Sequence, residues 1–229
     1  MSNASSKRLI RSYVRRQSRG LSTKRQKALQ NNWPVWGLNY QTAPWQFSTI
    51  FDQTGPLVVE VGFGMGHNLL ERAQAEPNSC FVGIEVHRPG IAHVLSQIEE
   101  LNVTNIRLIN HDAVEALEYG FSKASIDRFL LYFPDPWPKK KHHKRRLVQP
   151  PFIELVANRM IQGGLLHLAT DWPDYAEQMM QVVGSHSDFV DYTTEQPWSQ
   201  RPSWRQKTKF ETRGEDKGHP IYDLVYKRI

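Results

Sequence analysis

The sequence predicts an α/β fold, a mostly parallel β-sheet with helices on both faces and an antiparallel strand pair at one edge. Three observations predict it. Short apolar runs alternate with helix-period segments from residue 57 to residue 169, which is the pattern of βαβ units. Gly62, Gly64 and Gly66 fall where the first run gives way to its helix, the place where such folds turn tightly. Two further strand-like runs, 189–193 and 221–226, have no convincing helix between them, so they suit an antiparallel pair.

Taken in order, Leu57-Val58-Val59-Glu60-Val61 is a buried strand feeding a helix over 68–75. Residues 81–85 form the second strand, followed by a helix over 90–101 with apolar positions at Ile91, Val94, Leu95 and Ile98, the spacing of one helical face. The third strand is 106–109. A short helix over 114–119 leads to the fourth strand at 126–133, and a helix over 151–160 leads to the fifth at 164–169. With the closing pair this makes seven strands. A Trp-rich connector (Trp33, Trp36, Trp45) precedes the first.

At 229 residues, 39% of them hydrophobic, the chain holds one sizeable core and an extension. Charge divides it at residue 51. The segment 1–51 holds nine Lys and Arg and no Asp or Glu, which leaves 20 of the 29 basic residues against all 23 acidic ones in 52–229. Residues 1–51 therefore read as a basic, partly flexible arm and connector, and 52–229 as the domain. An acid-free basic arm neutralises phosphates and releases their counterions, which makes nucleic acid the leading partner. An organelle transit peptide or a solubilising tail has similar composition, so the arm alone does not choose. No apolar run approaches the roughly 20 residues needed to span a bilayer, and no apolar leader is apparent. The single Cys80 excludes an internal disulfide and a cysteine metal cluster. No metal site, membrane or protein partner is expected, and the reducing cytoplasm is the expected location.

Glycines in a strand-to-helix turn let the backbone approach a nucleotide-like ligand at the carboxyl end of a parallel sheet. The acids around them narrow the choice. Glu60, just before the glycines, would repel a pyrophosphate but suits a cationic ligand. Glu85 ends the second strand, where a carboxylate can accept from both ribose hydroxyls, and Asp112, just past the third, could accept from an adenine amine. S-adenosylmethionine, with its ammonium and sulfonium, fits all three. A dinucleotide fits Glu85 as well but not Glu60, and ordinary surface carboxylates or helix caps remain the plain alternative. From 57 to 112 the chain resembles class I (Rossmann-like) methyltransferases.

The fourth strand ends in Phe133-Pro134-Asp135-Pro136-Trp137-Pro138, a proline-stiffened turn that would hold Asp135 and Trp137 at the sheet's carboxyl edge. Behind it run Lys139-Lys140-Lys141-His142-His143-Lys144-Arg145-Arg146, six full positive charges that would serve as a phosphate-binding surface beside a site. A solvated face is the plain alternative. Residues 133–146, with Thr170-Asp171-Trp172 and Thr208-Lys209-Phe210-Glu211, closely resemble the bacterial tRNA (guanine-N7)-methyltransferase family over nearly all of 40–229. That resemblance implies cofactor contacts at Glu60, Glu85, Asp112 and Asp135 beside the glycines, and catalysis at Asp135. It also implies substrate contacts at Lys139, Asp171, Thr208, Lys209, Phe210 and Glu211, and RNA contacts along Lys141, His142, His143, Lys144, Arg145 and Arg146. S-adenosylmethionine would be the cofactor and tRNA the partner. A class I methyltransferase for another RNA base and a non-catalytic tRNA-binding module are the rivals to this reading.

Overall fold

The computed structural model describes residues 20–192, 199, 201–205, 211 and 220–229. Eight strands make one sheet in the order β1-β4-β3-β2-β5-β6-β8-β7. Five lie at or near the expected places: β2 Leu57–Val61, β3 Cys80–Ile84, β4 Ile106–Ile109, β5 Ile126–Tyr132 and β6 Met160–Thr170. They pair in parallel. β7 Phe189–Asp191 and β8 Tyr222–Arg228 close the far edge, β8 running antiparallel to both β6 and β7.

The eighth strand is β1, the two residues Gly37–Leu38, paired in parallel with β4. Seven strands were expected, and two residues carry too little alternation to register as an eighth. The connector before it is also more regular than its sequence suggests. Helix α1, Thr23–Trp36, contains Pro34 and buries only Ala28 and Asn32. Its hold is tertiary, since Asn32 Nδ2 donates to the Leu95 carbonyl at 2.8 Å. After the four-residue helix α2, Phe47–Ile50, come α3 His67–Ala75, α4 Arg88–Ile98, α5 Ala113–Gly120, α6 Pro150–Arg159 and α7 Pro173–Gly184.

Side chains that alternate along the strands supply two cores. Val58, Phe81, Leu108 and Leu130 face α1, α3 and α4, whereas Val59, Val61, Val82 and Leu131 face α5, α6 and α7, as the two-residue repeat of a strand requires. The chain winds from β2 outward to β4 and then returns to lay β5 on the other side of β2. The strand order reverses there, and the crevice above the carboxyl ends of β2 and β5 is where open α/β sheets bind ligands.

Helix α4 locks the rim of that crevice. A Cβ built on Gly90 would stand 1.8 Å from the Gly64 carbonyl oxygen, so α4 meets the glycine loop backbone to backbone. Gly90→Ala is therefore expected to destabilise the fold by about 1–3 kcal/mol, the usual cost of overpacking. Denaturant unfolding checks this, and an unchanged midpoint would mean that the loop and helix are not tightly packed.

Candidate active site

The loop between β2 and α3 turns at Gly62 (φ +71°), Gly64 (φ +58°) and Gly66 (φ +75°), backbone that L side chains rarely adopt. Gly66 is additionally confined, because a Cβ there would strike Val94 Cγ2 at 2.1 Å. At Gly62 and Gly64 the missing side chains leave open space, and the bare backbone of Gly62 lines a cleft of about 240 Å³. Glu85 braces this loop. One carboxylate oxygen accepts from Gly64 N–H and the other from His87 N–H, both at 2.8 Å. Glu85 also lines the cleft, and each carboxylate oxygen has lone-pair capacity for a further donor.

The opposite wall is the turn after β5. Phe133 (φ +51°) and Trp137 (φ +46°) take left-handed backbone without being glycine, a cost of order 1–3 kcal/mol each that surrounding structure has to hold. Part of that hold is Phe133 N–H donating to the Ala169 carbonyl at 2.8 Å. Asp135 and Trp137 line the cleft with Arg145, whose guanidinium lies 5.0 Å from the Trp137 ring centre. Lys140–Arg145 form a 3-10 helix, on which Lys140, Lys141 and Lys144 are exposed, as is Lys139 before it.

Known proteins resemble this chain over nearly its whole length. The family described as "Putative methyltransferase" matches residues 54–224. The tRNA (guanine-N(7)-)-methyltransferase of Aeromonas hydrophila is 44% identical over 97% of this chain and 93% of its own length. That of Yersinia pestis is 45% identical over 99% and 94%. The chain belongs to the tRNA (guanine-N(7)-)-methyltransferase family. Solved structures agree on the fold: an rRNA methylase from Streptococcus thermophilus superposes with a TM-score of 0.52 at 16% identity, over 77% of this chain and 89% of the other.

Within this methyltransferase several expected site residues also hold the fold together. Glu60 is buried in β2 beneath the loop and does not line the cleft. It accepts from Asn68 Nδ2 at 2.8 Å. Burial pushes its pKa up to about 7, against the Asn68 hydrogen bond and Arg72, which lower it, while Glu85 raises it further. Asp112 caps α5, accepting from Val114 N–H at 3.0 Å and Glu115 N–H at 3.1 Å, between cleft-lining His111 and Ala113. Arg146 corrects the RNA-facing run. Its side chain is 1% exposed and donates to the Pro136 carbonyl (2.8 Å), Gln178 Oε1 (2.6 Å) and Asp174 Oδ2 (2.6 Å). Every nitrogen of that guanidinium is engaged, so Arg146 fastens the run to α7 and offers nothing to a phosphate. His143 is half-buried against the same Asp174, with Nε2 3.5 Å from Oδ2.

Asp171 is exposed just past β6. Thr208, Lys209 and Phe210 lie outside the described residues. Glu211, expected at the substrate, is instead 1% exposed with its carboxylate 2.7 Å from Arg205 Nη2. Arg205 in turn grips Asp223 on β8 with Nε at 2.6 Å and Nη2 at 2.7 Å. His167 on β6 joins Asp223 through Nε2 at 2.7 Å, and its Nδ1 meets the Tyr132 hydroxyl at 2.9 Å. Burial lowers the pKa of His167 despite Asp223 beside it. Burial would raise that of Asp223, but His167 and Arg205 hold it below the ordinary carboxylate value. Sequence reasoning missed this network. Its one signal was a polar residue inside each of two apolar strands, His167 in Leu165-Leu166-His167-Leu168 and Asp223 in Tyr222-Asp223-Leu224.

The raised Glu60 predicts a pH dependence of stability. The folded state holds the Glu60 proton more tightly than the unfolded chain, so this contribution is full below about pH 4.5 and is lost as pH rises through about 7. Between pH 5 and pH 8 the unliganded wild type is expected to lose up to about 3 kcal/mol relative to Glu60→Gln, at 1.36 kcal/mol per unit. Parallel unfolding curves for the two proteins across that range would show that Glu60 ionises normally.

Proposed function

We propose that this methyltransferase uses the cleft between the glycine loop and the Phe133 turn to carry a methyl group from S-adenosylmethionine to N7 of a guanine in the variable region of tRNA. One observation carries the reading: the bare backbone at Gly62, the acid Glu85 and the turn residues Asp135 and Trp137 line a single crevice. The residues present suit that cofactor. An open glycine cradle admits a bulky nucleoside at close range, and Glu85 offers acceptors for ribose hydroxyls. Bound there, S-adenosylmethionine supplies an electrophilic methyl on a sulfonium.

Guanine N7 presents an in-plane lone pair and no proton, so the chain's task is alignment more than base catalysis. Asp135, exposed at the cleft, is suited to accept from guanine N–H groups and so to offset the positive charge that N7 gains on alkylation. Asp171, exposed past the neighbouring strand, is the second acid for that task. Trp137 with Arg145 over its ring offers a flat cationic face for an unstacked base, which the reaction needs because side chains cannot read the deep groove of A-form RNA. Lys139, Lys140, Lys141 and Lys144 are the phosphate-binding surface in this reading. Lys24 and Lys27, exposed on α1, are further cationic groups for RNA in the basic arm of residues 1–51. No helix among the described residues is long and apolar enough to cross a membrane, and a tRNA substrate suits action in the cytoplasm.

The deciding experiment incubates the protein with unmodified tRNA and labelled S-adenosylmethionine and digests the product. 7-Methylguanosine is expected as the sole labelled nucleoside, and any other methylnucleoside as the main product would overturn the reading. Replacing Lys140, Lys141 and Lys144 together by Ala should weaken tRNA binding and flatten its salt dependence. At roughly 0.7–0.9 of log-log slope per phosphate contact, three contacts predict a change of about two to three. S-adenosylhomocysteine affinity should stay at the wild-type value. A triple variant with the wild-type slope would reduce the run to a solvated face.

A further inference from the structure

Strand β1 is too short to add much to the sheet, yet it puts a side chain in a particular place. Its parallel register sets Gly37 against Leu108 and Leu38 against Ile109. Carried two residues on, that register brings Tyr40 level with His111, just past the carboxyl end of β4. The two rings are stacked, with centroids 3.8 Å apart and planes 12° from parallel. His111 Nε2 is 2.6 Å from Glu115 Oε2. The imidazole is thus held on one face by Tyr40 and at its edge by Glu115, and it lines the same cleft as Gly62 and Glu85.

We propose that Tyr40 is a positioning residue for the adenine of the cofactor, acting through His111. A lone imidazole in a loop can turn about its side-chain torsions, whereas one clamped between an aromatic face and a carboxylate presents a fixed flat wall. A fixed planar wall beside Asp112, which carries acceptor oxygens, is chemistry for a purine base with an exocyclic amine. The segment before the domain core therefore completes the base end of the cofactor cleft. The inference rests on the cofactor lying in that cleft, as proposed above.

The test is calorimetric titration of the full chain with S-adenosylhomocysteine, with melting curves alongside. Tyr40→Leu keeps bulk but removes the aromatic face, and it is expected to weaken binding about three- to tenfold, the scale of one aromatic pair. Tyr40→Phe should bind within about twofold of wild type, because the stack needs the ring and not the hydroxyl. With tRNA, Tyr40→Leu should raise the KM for S-adenosylmethionine and leave kcat at saturating cofactor unchanged. Wild-type affinity in Tyr40→Leu overturns the proposal, as does equal weakness in Tyr40→Phe or a fall in kcat with affinity intact. Should Tyr40→Leu melt below the assay temperature, His111→Leu takes its place and has to show the same loss of affinity. Glu85→Ala separates the two levels. If it loses affinity while Tyr40→Leu does not, only the role of Tyr40 falls, and if neither loses affinity the placement of the cofactor falls with it.

Discussion

The contact on which the cleft depends is between backbone and backbone, where the glycine loop meets the start of α4 at Gly64 and Gly90. It has no tolerance for a side chain, and it fixes the height of the loop above the sheet. Glu85 then uses both carboxylate oxygens to bind N–H groups on either side of that contact. The same carboxylate borders the crevice, so the group best placed to meet a ligand is also the one holding the loop still. Preorganisation of this kind removes ordering costs from binding.

The wall opposite is held by charge rather than by close approach. Arg205, Asp223, Glu211 and His167 are all nearly inaccessible, and hydrophobic residues of similar volume often give a fold at least as stable as a buried ionic cluster does. What the cluster gives instead is direction. Arg205 lies 5.9 Å from the ring centres of both Tyr132 and Phe133, so the end of β5 and the left-handed turn that follows it are referred to β6 and β8 through fixed polar geometry. Removing one member would strand the others as unpaired buried charges, which is far costlier than removing all of them.

The sheet was legible because parallel strands buried on both faces read as near-continuous apolar runs. Val58, Val59, Val82 and Leu131 stand out for that reason, and the glycines and Glu85 follow from their place at strand ends. What stayed hidden depends on tertiary partners. Arg146 sits in a row of basic residues and differs from Lys144 only in what lies behind it, namely Asp174, Gln178 and Tyr175 on α7. Glu60 was read as a carboxylate aimed at a ligand, but its place in a central strand buries it. Helix α1 does repeat Ala28, Leu29, Trp33 and Trp36 at helical spacing against the second core, but Pro34 inside it and the basic residues before it made that stretch read as a connector.

Strand β1 has one more effect, on the sheet as a whole. An open sheet ends in two rows of unpaired N–H and C=O groups, and long, flat, apolar edges invite pairing between molecules. Here one edge strand is two residues long and the other, Phe189–Asp191, is three and ends in an acid. Six strands rich in valine, leucine and isoleucine are thereby enclosed between stubs too short to template a neighbour. Brevity guards the edges, and past the β7 stub the N–H groups of Tyr192 and Ser199 donate to the Val225 and Asp223 carbonyls, covering part of the outer edge of β8.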